Sequence, residues 1–171
     1  NKYDFHISFA LSLDKEKQVA TLKEDVRITS HKEDLKYRPT IITCGGKMEV
    51  KYSENIAEFF DKVVMTDAGA TLMANYVKIK LKEDSQKLES VECKGDVIII
   101  QGDKKATSRN AVYDAIEKKV TLTGNPKVMK GDNLLGAEKI VFYVEDERVI
   151  CTPSAKLIIF PNQDDKRLFN L

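Results

Sequence analysis

Polar and apolar residues take turns along most of this chain, and that period of two constrains its fold more than any other feature. Successive strand side chains point to opposite faces, so an alternating run is a half-buried strand. Residues 110–151 show it best. Val120 and Leu122 share one face, Thr121 and Thr123 the other. Gly124-Asn125-Pro126 interrupts the run. Gly and Asn tolerate positive φ and Pro has no amide donor, so this is a turn or a corner in a sheet. Val128 resumes the strand and Gly131-Asp132-Asn133 turns it again. Ile140-Val141-Phe142-Tyr143-Val144 is β-branched and aromatic, a strand by propensity. After the polar turn Glu145-Asp146-Glu147, Arg148-Val149-Ile150-Cys151 opens the next strand. Four short strands joined by tight turns need no helix.

The same period runs through the rest of the chain. Over 3–13, Phe5, Ile7, Phe9, Leu11 and Leu13 oppose His6, Ser8, Ala10 and Ser12. Residues 14–17 read as a charged turn, 19–29 as a strand pair broken near Glu24-Asp25, and 31–38 as a polar loop closed by Pro39. Residues 40–44 form a strand, Gly45-Gly46 signals a hairpin, and 47–52 turns Met48, Val50 and Tyr52 inward. In 53–66 the spacing of Ile56, Phe59, Phe60, Val63 and Val64 also fits a helix capped by Ser53, but the repeat described below favours strand. Val77, Ile79 and Leu81 alternate with Lys78, Lys80 and Lys82. Val91 and Cys93 share a face, and Lys94-Gly95-Asp96 turns into a strand over 97–101. A last strand over 155–160 has Leu157 and Ile159 inward, and 161–171 is expected to be a frayed polar tail. The whole, 1–171, reads as one all-β domain.

Copies of one unit recur. Tyr52 set over Tyr113 brings Phe59 onto Val120, Asp61-Lys62 near Gly124-Asn125, and Val64-Met65 over Val128-Met129. Leu72 then falls on Leu134, Val77-Lys78-Ile79 on Ile140-Val141-Phe142, and Cys93 on Cys151. A weaker third copy, beginning near Val19, ends at Cys44. A four-stranded unit of this size cannot bury its apolar face alone; stacked copies can. The three cysteines would then sit at one place in successive copies, either as small buried side chains or with one disulfide between neighbours.

Chemistry is sparse. Lys and Arg number 28 against 27 acids, a net charge of +1, which argues against nucleic-acid binding. No run reaches the length of a membrane helix. The chain opens on Asn1, so a targeting segment or anchor is expected to have been removed. His6 and His31 fit no metal pattern, and the cysteines lack metal spacing, so neither a metal nor a cofactor is expected. There is no nucleophile elbow, P-loop or dinucleotide fingerprint. Acidic groups such as Glu145-Asp146-Glu147 and Asp164-Asp165 read as solvated turns, and the Lys78/Lys80/Lys82 row as the wet side of a strand. No enzyme is expected.

The pattern A-x-Y-D-x5-V-x-L-T-G-N-P-x-V-x2-G-D-x3-G-x3-I-x-F, from Ala111 to Phe142, resembles the OstA-like family of lipopolysaccharide-transport proteins, in particular its periplasmic bridge component. The likeness is specific over 105–166, weaker over 19–52 and weak over 53–102. In the first two copies Lys23-Glu24-Asp25 and Phe60-Asp61-Lys62 replace the family's Thr-Gly-Asn turn. The resemblance implies an open, twisted antiparallel β-jelly roll, folded like a taco and built from stacked strand repeats. It implies lipopolysaccharide acyl chains in an apolar groove, sugars outward, and a periplasmic location. It also implies partnership with other lipopolysaccharide-transport proteins by edge-strand addition, including head-to-tail homo-oligomers. Alternation nominates the lining: Phe5, Ile7, Phe9, Met48, Val50, Tyr52, Phe59, Val77, Ile79, Leu81, Val91, Val97, Ile99, Tyr113, Val120, Leu122, Val128, Ile140, Phe142, Val149, Leu157 and Ile159. Positions matching Ile99 and Tyr113 face lipid in the family; core packing is the competing role for each residue. Other readings are a membrane-anchored component or translocon N-terminal domain of the same system and, in a different class, an adhesive β-solenoid without a lipid ligand. A polysaccharide lyase is more distant still.

Overall fold

The computed structural model describes residues 11–14, 19–23, 26–30, 40–67, 69–146 and 148–160. They form one antiparallel sheet of fifteen strands. The first five are β1 (Leu11–Asp14), β2 (Val19–Lys23), β3 (Val26–Ser30), β4 (Thr40–Cys44) and β5 (Lys47–Lys51). Four long strands follow: β6 (Ile56–Asp67), β7 (Ala70–Leu81), β8 (Leu88–Gln101) and β9 (Lys104–Asp114). Six short ones close the chain: β10 (Lys119–Thr123), β11 (Lys127–Lys130), β12 (Asn133–Gly136), β13 (Lys139–Tyr143), β14 (Arg148–Thr152) and β15 (Lys156–Ile158).

The short strands come in end-to-end pairs, and each pair behaves as one long strand broken in the middle. β5 lies along the first half of β6 and β4 along its second half. β10 and β11 likewise divide β9, β13 and β12 follow them, and β14 and β15 complete the series. The molecule is therefore a meander of long rungs, each paired with the rungs before and after it. One half of every rung builds a first wall (β2, β5, β10, β13, β14 and the adjoining halves of β6–β9). The other half builds a second wall (β3, β4, β11, β12, β15 and the remaining halves).

Where the walls meet, a crease crosses every rung. Register slips between Phe60 and Val63, between Met73 and Tyr76, and between Lys94 and Val97. Left-handed backbone occurs at the same places: Asp61, Lys62, Gly95, Asp96, Gly124 and Asn125 all have positive φ. Bulges of this kind bend a strand sharply. Two glycines are required sterically. A Cβ at Gly46 would lie 2.5 Å from the Phe60 carbonyl oxygen, and one at Gly124, where φ is +78°, 2.5 Å from Cβ of Arg109. Side chains on one face of a lone sheet stay partly wet, yet Phe59, Val77 and Ile140 of the first wall and Val63 and Val97 of the second are all 1 % exposed or less. The walls therefore close on one another at the crease and share one core.

Several expectations change here. Gly45-Gly46 is a crease corner, not a hairpin: its two amides donate to the carbonyls of Asp61 and Phe60 on the neighbouring rung. Lys94-Gly95-Asp96 is a bulge inside the continuous strand β8 rather than a turn between strands. β2 and β3 are two strands, as the break at Glu24-Asp25 suggested, but they pair with β5 and β4 and not with each other. Asp14 belongs to β1. Residues 56–67 are strand, and the short 3-10 turn Tyr52–Glu54 precedes them. The tail 161–171, the loop 31–38 and residues 3–10 lie outside the described residues.

The outer face of the first wall is charged and cross-paired. Lys51 meets Glu58 at 2.7 Å and Lys78 meets Glu92 at 2.9 Å. The Tyr76 hydroxyl also donates to Glu58. Partial burial pushes the Glu58 carboxyl up, but the hydrogen bonds from Lys51 and Tyr76 outweigh it and hold it below the usual carboxylate range.

Candidate functional site

Inward side chains of the first wall line up in rows that cross it. The row beside the crease is Met48, Phe59, Val77, Cys93, Ala111, Leu122, Ile140 and Cys151, each directly opposite the next. The next row outward is Val50, Ala57, Ile79, Val91, Tyr113, Val120, Phe142 and Val149, again in register. On the second wall Ile42, Met65, Leu72, Ile99, Ala106, Val128, Leu135 and Leu157 form the matching row.

Burial grades across these rows. Beside the crease most side chains are sealed. One row out on the first wall, all but Val91 are only half-buried, although their neighbours are apolar; on the second wall Met65, Leu72, Ile99 and Ala106 are half-buried, while Ile42, Val128 and Leu135 are buried. The walls thus touch at the bottom and part toward the rim, leaving a trough with an apolar lining. Strands are about 4.8 Å apart, so eight of them give it a length of roughly 34 Å.

The nominated residues therefore divide. Met48, Phe59, Val77, Val97, Leu122 and Ile140 lie at the sealed bottom, and Val91 and Val128 are nearly as buried. Val50, Ile79, Ile99, Tyr113, Val120, Phe142 and Val149 line the part-open region. Leu81 and Ile159 are half-buried nearer the rim. Tyr52 does not continue the inward face of β5; it begins the 3-10 turn and is 58 % exposed. Leu157 is in the inward row but on β15, beyond which no strand pairs among the described residues, and it is exposed. Phe5, Ile7 and Phe9 lie outside the described residues. The nomination omitted Ala57, Met65, Leu72, Ala106 and Leu135, all inward. Leu72 and Met65 could have been found by stepping in twos from Ile99 along paired strands, had the crease been placed.

The repeat holds over its second half. Val77 and Ile140 share a row, as do Ile79 with Phe142 and Cys93 with Cys151. In the first half the alignment slips: Phe59 occupies the row of Leu122, not of Val120. Cys44 belongs to β4 in the second wall, so the three cysteines do not occupy one repeated place. They are thiols and no disulfide joins them. Burial pushes Cys93 up to about 12 and raises Cys151 as well, the reverse of what a nucleophile requires. Cys44 donates toward the carbonyls of Gly46 and Lys47. Among the described residues no group of His, Cys, Asp and Glu could hold a metal ion. The lining offers shape and apolar surface for an elongated aliphatic ligand.

Residues 45–148 match the family model described as LptA/(LptD N-terminal domain) LPS transport protein. No curated protein matches the chain. Among solved structures, the chain is similar to LptH of Pseudomonas aeruginosa, the LptA-homologous periplasmic component of a lipopolysaccharide transport device. The TM-score is 0.64 and identity 21 %, over 72 % of this chain and 96 % of that one. At that identity the likeness shows the fold, an open β-jelly roll. Taken with the family match over more than half of its length, this places the chain in the LptA/LptD N-terminal-domain family of lipopolysaccharide-transport proteins.

Proposed function

We propose that this protein is a non-enzymatic periplasmic carrier. It holds the acyl chains of lipopolysaccharide in the trough and joins other transport proteins end to end, bridging inner and outer membranes. The observation that carries this is the apolar row running unbroken from Val50 to Val149 across eight strands, half-buried at every position but Val91. A soluble core would cover such a row, whereas a lipid carrier leaves it for its cargo. Each methylene taken from water contributes about 0.8 kcal/mol, so several acyl chains bind firmly without a polar anchor. The ends suit assembly. Among the described residues nothing pairs with the far side of β1, β3, β14 or β15, and bare strand edges accept further strands. Phosphorus, sugar and solvent lie outside the trough in this arrangement.

Photo-crosslinkers at Ile99 and Tyr113 test the proposal. Incubation with purified lipopolysaccharide is expected to label both and to spare the outward Lys80. Equal labelling at Lys80, or none at the inward sites, sinks it. Filaments that form without lipid binding would favour an adhesive solenoid instead. The native N-terminus separates the family roles: a retained membrane helix marks an anchored component, a cleaved signal the soluble bridge, and a following barrel the translocon.

A further inference from the structure

The two rims of the trough end in turns of different kinds. Along the rim of the first wall, each described hairpin carries one exposed apolar side chain. These are Tyr52 between β5 and β6, Leu88 where β8 begins, Ile116 between β9 and β10, and Val144 between β13 and β14. They are 58, 37, 63 and 56 % exposed in that order. The turns of the second rim carry Gly69, Gly102-Asp103 and Gly131-Asp132 instead, all exposed and each glycine at positive φ. Phe160 is exposed too, but it follows β15 at the end of the sheet and is not at a hairpin tip. Apolar residues exposed singly are ordinary. One at every tip of one rim, and none at the tips of the other among the described residues, is a pattern. Successive tips are two strands apart, so the four make a line of roughly 30 Å.

The line is held in place and joined to the trough. Asp114 accepts the amides of Ile116 and Glu117 at 2.9 and 3.0 Å, which fixes the turn that presents Ile116. The Val144 amide donates to the Lys118 carbonyl, so the rung pairing reaches Val144, two residues past the lining residue Phe142. Leu88 lies opposite Leu81, the next inward residue after Val77 and Ile79. Apolar surface therefore runs from the lining out over this rim. The charges beside it pair with one another: Lys118 with Glu145, Lys119 with Glu117, Lys80 with Glu89 at 3.2 Å and Arg148 with Asp146 at 3.9 Å. Adhesion to a lipid surface grows with apolar area and with attraction between opposite charges. This rim supplies the first and neutralises the second within itself.

We propose that Tyr52, Leu88, Ile116 and Val144 form a lip that rests on a zwitterionic lipid surface, and that acyl chains pass over it into the trough. The second rim, with its glycine and aspartate turns, stays in water. The occupant follows from continuity: whatever covers the lip also meets the lining, and acyl chains suit both. The lip rests on the carrier reading, but its test separates the two. Transfer of a fluorescent acyl probe from phosphatidylcholine vesicles to the protein is followed by stopped flow over a range of vesicle concentrations. Affinity for the same probe is measured separately, without vesicles. Wild type is compared with the double variant Ile116→Ser/Val144→Ser, with Tyr52→Ser, and with the second-rim control Asp103→Ser/Asp132→Ser. In wild type the rate is expected to rise with vesicle concentration, because transfer requires contact. The double variant should slow it at least about tenfold, the worth of half-burying two such side chains. Its probe affinity and melting temperature should be unchanged, since both positions are exposed. Tyr52→Ser should slow transfer less, and the control not at all. Equal slowing in the control, or a loss of affinity that matches the loss of rate, overturns the lip. So does transfer that needs anionic lipid and stops in high salt, which would make the attraction one of charge. A wild-type dimer that the double variant dissolves also overturns it, by making the rim an interface between copies. Wild type that binds no probe without vesicles overturns the carrier reading. Wild type that binds the probe, but takes it up at a rate independent of vesicle concentration, overturns the lip alone.

Discussion

The crease and the open flanks of the trough are built from the same strands, the same inward face and the same residue types. Phe59 and Ile140 lie beside the crease, and Ala57 and Phe142 two residues along the same strands. The first pair is sealed and the second half-wet. The difference is therefore not in the chemistry of the side chains but in the distance between walls. A crease brings the walls into contact at one end of each rung half and lets them diverge at the other. Stability is concentrated where they touch, and open apolar surface is left where they part.

The largest break in this comparison is at the bottom. Phe59→Ala is expected to lose about 3–5 kcal/mol in urea unfolding, the usual cost of emptying a sealed aromatic site. Val120→Ala, one row out on β10, should lose about 1 kcal/mol or less while lowering crosslinking to lipopolysaccharide. Equal costs at the two sites would mean the walls do not diverge. Next is the bend itself. Gly124→Ala places a Cβ at positive φ and against Arg109, and should cost about 1–3 kcal/mol by the same measurement.

Thiol chemistry then sharpens the map. In the native state at pH 8, Cys93 should resist a maleimide reagent and react only on unfolding, because it is buried and its thiol is pushed up to about 12. Cys151, half-buried on edge strand β14, should react first. The reverse order would place the sealed row elsewhere. The smallest effect lies outside the trough. Glu58 has its folded-state pKa lowered by Lys51 and Tyr76. Its contribution is therefore complete above the unfolded carboxyl pKa and disappears as pH falls through the lower folded value. Glu58→Gln should remove under about 1 kcal/mol near neutrality and flatten the acid limb of the stability profile.

Strand content and facing were legible wherever alternation ran unbroken. Val77, Ile79 and Leu81 against Lys78, Lys80 and Lys82 is such a stretch, and Val120 with Leu122 another. The crease was not legible, because a bulge changes the count of residues without changing their type. Asp61 and Lys62, both left-handed, bring Phe59 and Val63 into one sealed core. Phe60 and Val64 fall beside them in sequence, and the set imitates a helical spacing. In β7 the inward series Leu72, Ala74 resumes at Val77, three residues on rather than two. Gly124-Asn125-Pro126 read correctly as a corner because three residues with distinct backbone demands coincide there. Gly45-Gly46 could be read as a hairpin because glycine reports conformational freedom but not the direction the chain takes after it. Tyr52 failed for a plainer reason: β5 ends at Lys51, and alternation carries no mark of where a strand stops.

Because each rung leans only on its two neighbours, nothing in the cross-section counts how many there are. Inserting or deleting a whole hairpin would lengthen or shorten the gutter by about 10 Å and leave its profile intact. The span one molecule covers is thus an integer quantity, adjustable in evolution or by design one hairpin at a time.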